Sequence, residues 1–142
     1  EPITTQTVYP QGVLLQNNQT GGVYFVRNGQ KQPIMSREIL KTNFQNPVVI
    51  ATTPLDLEAY TTGVPLPFPD GSLIAVVGSP DIFVVTHGQR RHIKDEATFV
   101  TFGWRFNQVL WTNERSVLLH PLSKELSTVL PIDETDVTLT IL

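Results

Sequence analysis

A chain of 142 residues with 10 Lys and Arg against 13 Asp and Glu carries a formal net charge of -3, which leaves no global pull toward nucleic acid or an anionic membrane surface. Cysteine is absent, so disulfide scaffolds, thiol nucleophiles and cysteine-ligated zinc or iron–sulfur centres are excluded. Charged residues make up 16% of the chain, below the usual ~25%, while 17 Thr and 16 Val shift the composition toward strand formers.

No apolar run approaches the ~18 residues that cross a bilayer, and no signal peptide stands at the amino end. The chain opens on Glu1 rather than Met, as a processed protein or an excised fragment would, so secretion stays open. Asn18-Gln19-Thr20 forms a glycosylation sequon, which has meaning only in a eukaryotic secretory route.

From residue 12 onward the chain is read most simply as one sequence written twice. Sliding 12–34 onto 71–93 without a gap, an offset of 59, matches Gly12/Gly71, Leu14/Leu73, Val26/Val85, Gly29/Gly88, Gln30/Gln89 and Ile34/Ile93, with Tyr24/Phe83 and Lys31/Arg90 as near matches. Such self-similarity is an internal repeat, which governs every later assignment. In the first copy the apolar run 23–26 leads to Asn28-Gly29 and a second strand-like run; Asn-Gly predicts a type I′ hairpin because both central residues need positive φ. His87-Gly88 stands at the same place in the second copy, and histidine tolerates that region better than most residues. Pro33, which cannot donate to a ladder, places its strand at an edge or turns its missing amide outward.

After each hairpin comes a helix start, Ser36-Arg37-Glu38 and Asp95-Glu96-Ala97, again 59 apart. Both Ser36 and Asp95 are N-capping types, and Leu40 and Phe99 are expected to face a sheet from helices of about two turns that end near Asn43 and Gly103. Beyond the helices an offset of 61 aligns 46–50 with 107–111, which implies a two-residue insertion and a buried strand in each copy. Short helical turns are expected within 54–60 and 116–121. The connector 63–70, with Pro65, Pro67 and Pro69, is held extended, either as a stiff link or as a ligand for a proline-recognising domain. The alternating 137–141 reads as a half-buried strand.

The predicted fold is therefore α+β and β-rich. Two pseudo-symmetric hairpin-helix-strand repeats pack as one body with an added terminal strand. The chain is read as a single domain, 1–142, with repeat one at 12–62, the connector at 63–70, repeat two at 71–126 and a C-terminal strand segment at 127–142.

In each copy the pattern runs G-x-L-L/I, apolar strand, x-G-Q-K/R, helix, V-V/L-I/W and a Leu-rich segment. It resembles short repeats of secreted and surface-anchored bacterial proteins of poorly defined function. The likeness covers roughly residues 12 to 126 and carries no catalytic residues across. What the resemblance implies is a noncatalytic extracellular or cell-surface accessory module, for binding or spacing, within a larger bacterial protein.

The candidate binding cluster is Arg90, Arg91, His92, Trp104 and Arg105, in which guanidinium groups beside aromatic rings could grip sugars, carboxylates or phosphates. The competing reading makes Phe102, Phe106 and Trp111 core and the arginines an ordinary solvated strand face. His87, His92 and His120 lack metal-ligand spacing, no G-x-S-x-G elbow is present, and Asp133, Glu134 and Asp136 lack a complete calcium-loop signature. The sequence thus predicts no catalytic residues, no metal and no cofactor. A protein or a cell-wall polysaccharide is the expected partner, with a carbohydrate site on the Arg/Trp surface and an unrecognised hydrolase as the alternatives; nucleic acid and membrane insertion are not expected.

Overall fold

The computed structural model describes residues 8–128 and contains two sheets with four short helices, a strand-rich α+β fold. Unit one comprises β1 (Leu14–Asn17), β2 (Val23–Arg27), β3 (Gln30–Ile34), α1 (Arg37–Asn43), β4 (Val49–Thr52), α2 (Pro54–Leu57) and β5 (Thr61–Thr62). Unit two follows with β6 (Leu73–Val76), β7 (Ile82–Thr86), β8 (Gln89–His92), α3 (Glu96–Thr101), β9 (Leu110–Thr112) and α4 (Glu114–Leu118). Sheet one is ordered β4-β1-β2-β3-β5 and sheet two β9-β6-β7-β8. The place of β5 in unit two is taken by bridges from Arg90 to Leu122 and from Ile93 to Leu126.

The two hairpins turn as the sequence predicts. Asn28 and Gly29 have φ of 55° and 72°, and His87 and Gly88 have 51° and 75°, the positive pair that a type I′ turn demands. Gly12 donates to the Val26 carbonyl and Gly71 to that of Val85, at 2.8 and 2.7 Å. Pro33 pairs with Tyr24 while its carbonyl accepts from Leu66. Ser36 and Asp95 cap their helices through the amides of Ile39 and Thr98. Ile39 is the fully buried residue of α1, Leu40 being only half-buried.

One register expectation is corrected. β1 pairs Leu15 with Ile50, and β6 pairs Ile74 with Leu110, so the later offset is 60 and a single residue is inserted. The insertion lies at the helix exit, where Phe44 N–H donates to the Leu40 carbonyl and Trp104 N–H to that of Phe99. Gly103, at φ 81°, is the extra residue, and its freedom to take a left-handed conformation lets the longer exit rejoin the same strand.

Each sheet is covered differently on its two faces. The back of sheet one, with Leu15 and Val26, meets Leu57 of α2, Tyr60 and Tyr9. The front of sheet two, with Leu73, Ala75, Val84 and Ile93, meets Phe99 of α3 and Trp104. Between the units lies a shared core. Ile34, Met35, Ile39 and Phe44 of unit one pack against Ile74, Val85, Leu110 and Val117 on the back of unit two, with Leu66 and Phe68 inside the same cluster. The segment 63–70 is extended, as its prolines require, but buried Leu66 and Phe68 make it part of this core rather than a free peptide ligand. Asn113 adds a hydrogen bond to the Met35 carbonyl across the junction. The expected terminal strand and the Asp133, Glu134, Asp136 cluster lie outside the described residues.

Candidate functional site

β8 alternates its side chains, so Arg90 and His92 project to one face and Arg91 to the other. The two-residue turn fixes the pairing of β7 with β8, which sets Phe83 opposite His92 and Val85 opposite Arg90. The Phe83 ring centroid lies 5.5 Å from that of His92, and the Arg90 guanidinium carbon lies 5.3 Å above the same ring. His92 stands between two carboxylates, with Nε2 3.4 Å from Asp81 and Nδ1 3.2 Å from Glu125. A neutral imidazole has one N–H and so donates to one of these at a time. An open cleft of about 270 Å³ lies beside it, lined by Asp81, His92, Lys94, Glu96, Phe99 and Phe106 among others.

Arg90 is tied into the fold. Its guanidinium donates to the His120 carbonyl, and the matching Lys31 donates through Nζ to the carbonyls of Leu57 and Tyr60 at 2.9 and 2.8 Å. Lys31 also lies over Tyr24, the counterpart of Phe83, at 6.0 Å. The Lys31/Arg90 correspondence was therefore itself a signal of a shared structural task. Arg91 donates from Nε to the Lys124 carbonyl at 2.9 Å. These bonds satisfy backbone carbonyls of the segment that closes the sheet edge.

Trp104 packs on the opposite face of sheet two from Arg90 and His92, the face to which Arg91 also projects, and Phe99 and Phe106 of that side reach the cleft beside His92. Trp104 is half-buried, packed on the front core, with its ring 5.8 Å from Phe99 and 5.2 Å from Phe102, nearly parallel to the latter at 17°. Phe106 stacks on Phe99 at 4.9 Å. Phe102, Phe106 and Trp111 are 49%, 57% and 44% exposed, so these three rings are not interior residues. Arg105 is exposed, and its backbone N–H donates to Gln108 Oε1 at 2.7 Å. Arg90, Arg91 and His92 thus gather around β8, while Trp104 and Arg105 belong to an aromatic ledge on the front of unit two.

His120 has a structural setting. Fully buried, it accepts the Phe68 N–H at Nε2 (3.1 Å) while Nδ1 lies 3.0 Å from the Gly88 carbonyl, a pair that fits the neutral Nδ1–H tautomer. Burial holds its pKa below the ordinary histidine value, against the opposing pull of the Gly88 carbonyl. Sequence reading missed Asp81 and Glu125 as the partners of His92. The hairpin register could have placed His92 beside Phe83, but nothing local links residue 92 to residue 125.

Among the described residues no group of His, Asp and Glu side chains is arranged to hold a metal ion, and no helix is long and apolar enough to cross a membrane. No protein-family model matches the chain, and no curated protein matches it. Among solved structures it is similar to a chain of the periplasmic assembly from the ESX-5 inner membrane complex, with 10% sequence identity and a TM-score of 0.33. That likeness covers 91% of this chain and 43% of the other, so the present chain spans under half the length of its neighbour.

Proposed function

We propose that this chain is a noncatalytic accessory module, for binding or spacing, of a larger bacterial protein at the cell surface or outside the cell. The observation that carries the reading is the shared employment of Lys31 and Arg90, both of which hold the same turn of their units by its carbonyls. The most conspicuous cation of the candidate cluster is then scaffolding. Among the described residues the ring-nitrogen partners of His92 are the carboxylates of Asp81 and Glu125, rather than the hydroxyl that a serine-type triad places there. The resemblance of the repeat to those of surface-anchored proteins supports the same placement.

Incubation of the full chain with purified bacterial cell wall and with a panel of polysaccharides, followed by product analysis, tests the reading. No released product is expected. Turnover that disappears in His92→Ala would overturn it.

A second reading, a carbohydrate contact, is favoured by the front ledge, where the Phe102 and Trp104 rings stack beside Arg105. Flat apolar rings with adjacent donors suit the faces and hydroxyls of sugars. In a Trp111→Phe background, emission reports Trp104 alone. A saturable shift with one polysaccharide would support this reading, and an unmoved signal would reject it.

A further inference from the structure

We propose that a cleft between the two units, lined by Thr42 of unit one and by Ser72, Trp104 and Gln108 of unit two, binds an uncharged sugar residue of a polysaccharide chain. This rests on the carbohydrate reading above and gives it a site and a ligand class. The cleft is open and measures about 320 Å³, at the lower end of the range for small-molecule sites. It lies where the end of α1 meets the start of β6 and the turn that enters β9.

The polar groups of the cleft are already oriented by the fold. The Thr42 hydroxyl donates to the Glu38 carbonyl at 2.6 Å, and the Ser72 hydroxyl donates to the Pro69 carbonyl at 2.7 Å. Each has thereby used its single hydrogen and keeps oxygen lone pairs with which to accept. Gln108 is the reverse case: its Oε1 accepts the Arg105 N–H at 2.7 Å, which fixes the amide and leaves the Nε2 hydrogens as the donors of this side chain. Two oriented acceptors and one amide donor beside an indole match a sugar, whose hydroxyls both donate and accept and whose C–H groups pack on an apolar ring. None of the described residues that line the cleft is charged, so nothing there offsets the cost of desolvating a carboxylate or phosphate. The cleft beside His92, with Asp81, Lys94 and Glu96, has the opposite character.

The repeat supplies an independent observation. At the matching places unit one has Val13 for Ser72, Phe44 for Trp104 and Val48 for Gln108. The surrounding framework is retained, with Gly12 and Leu14 matching Gly71 and Leu73. Unit one thus builds the same framework without a hydroxyl, an indole or an amide at these places, and folding alone does not call for them in unit two. Their gathering on one cleft is accounted for by a ligand that uses all three.

Titration of the full chain carrying Trp111→Phe with cellohexaose, maltohexaose, mannohexaose and the acidic hexagalacturonate, followed by Trp104 emission and by calorimetry, tests this. The expected result is saturable binding of at least one of the three neutral oligomers and none of the acidic one. Gln108→Met and Thr42→Val should each raise that Kd by at least about tenfold, equivalent to about 1.4 kcal/mol. Unfolding midpoints near that of the parent chain establish that the variants are folded. Thr42→Val keeps the side-chain volume and carries the test alone if Gln108→Met, which gives up the bond to the Arg105 N–H, does not fold. A Kd unmoved by these substitutions would overturn the cleft while leaving the carbohydrate contact on the ledge of Phe102 and Trp104. Preference for hexagalacturonate would overturn the ligand class, and binding of none of the four would overturn both this inference and the reading beneath it.

Discussion

The two units solve one packing problem with different side chains. In unit one, the Tyr9 N–H donates to Tyr60 Oη at 2.9 Å, and Thr52 donates to Asp56 at 2.8 Å with the Tyr9 hydroxyl 3.1 Å from the same Thr52 oxygen. In unit two, Phe68 replaces Tyr9, His120 replaces Tyr60, and Thr112 and Ser116 replace Thr52 and Asp56. The bond from the incoming strand is retained, now to His120 Nε2, but the buried Thr112 and Ser116 hydroxyls have no hydrogen-bond partner among the described residues. What persists between the units is therefore the pattern of backbone groups that need an acceptor or a donor, because an unmet buried amide costs about 1–3 kcal/mol. The identity of the side chain that meets the need is free to change.

That contrast can be broken most strongly at Phe68, whose ring is buried in the core shared by both units. Phe68→Ala should lower stability by about 3–5 kcal/mol. Tyr9, the matching residue, is only half-buried, so Tyr9→Ala should cost clearly less in the same denaturant titration. Equal losses would mean that the junction adds nothing to the packing of Phe68.

Next in size is the matched cation pair. Arg90→Met and Lys31→Met each remove charged hydrogen bonds to turn carbonyls and should each cost about 1.5–3 kcal/mol. Arg91→Met, whose bond to the Lys124 carbonyl is solvent-exposed, should change stability by less than about 0.5 kcal/mol. Thermal unfolding of the three variants distinguishes scaffold from surface; a silent Arg90→Met would return that residue to the list of free binding groups.

A smaller effect separates Tyr60 from His120. Protonating His120 would place a hydrogen on Nε2 facing the Phe68 N–H, and its folded-state pKa is lowered by burial. The unfolded chain therefore takes up this proton first as pH falls. The histidine's contribution to stability is complete above the unfolded value near 6.5 and declines as pH drops toward the lower folded value. His120→Tyr, which copies unit one, should remove that part of the acid limb from a stability–pH curve. An unchanged limb would show that other groups govern it.

Modest and equal changes are expected at the turns. Gly29→Ala and Gly88→Ala each force a Cβ into a left-handed backbone at φ 72° and 75°, with nothing within 4 Å to clash. The cost should be about 1 kcal/mol at both, and its equality, read from unfolding midpoints, is the test that the turns are equivalent.

Much of the fold was legible before any coordinates. The Asn28-Gly29 and His87-Gly88 turns, the Ser36 and Asp95 caps and the alternating apolar strands are local features, determined by backbone sterics and by hydrogen bonds spanning three or four residues. The helix-to-strand register was less legible, because Gly103 absorbs one extra residue where no periodic pattern crosses the gap. The candidate site was the least legible part. Arg90 looked available in the sequence, and only the return of the chain past His120 shows what its guanidinium holds.

By itself, then, the sequence determined that two similar hairpin-helix-strand units exist and where each turns, since those choices depend on neighbours in the chain. The tertiary structure alone decided that the front of one unit lies on the back of the other, that Leu66 and Phe68 join the core, and that Phe102, Phe106 and Trp111 remain partly in water. Those outcomes depend on which apolar faces find partners from distant parts of the chain, and periodicity identifies an apolar face without naming what covers it.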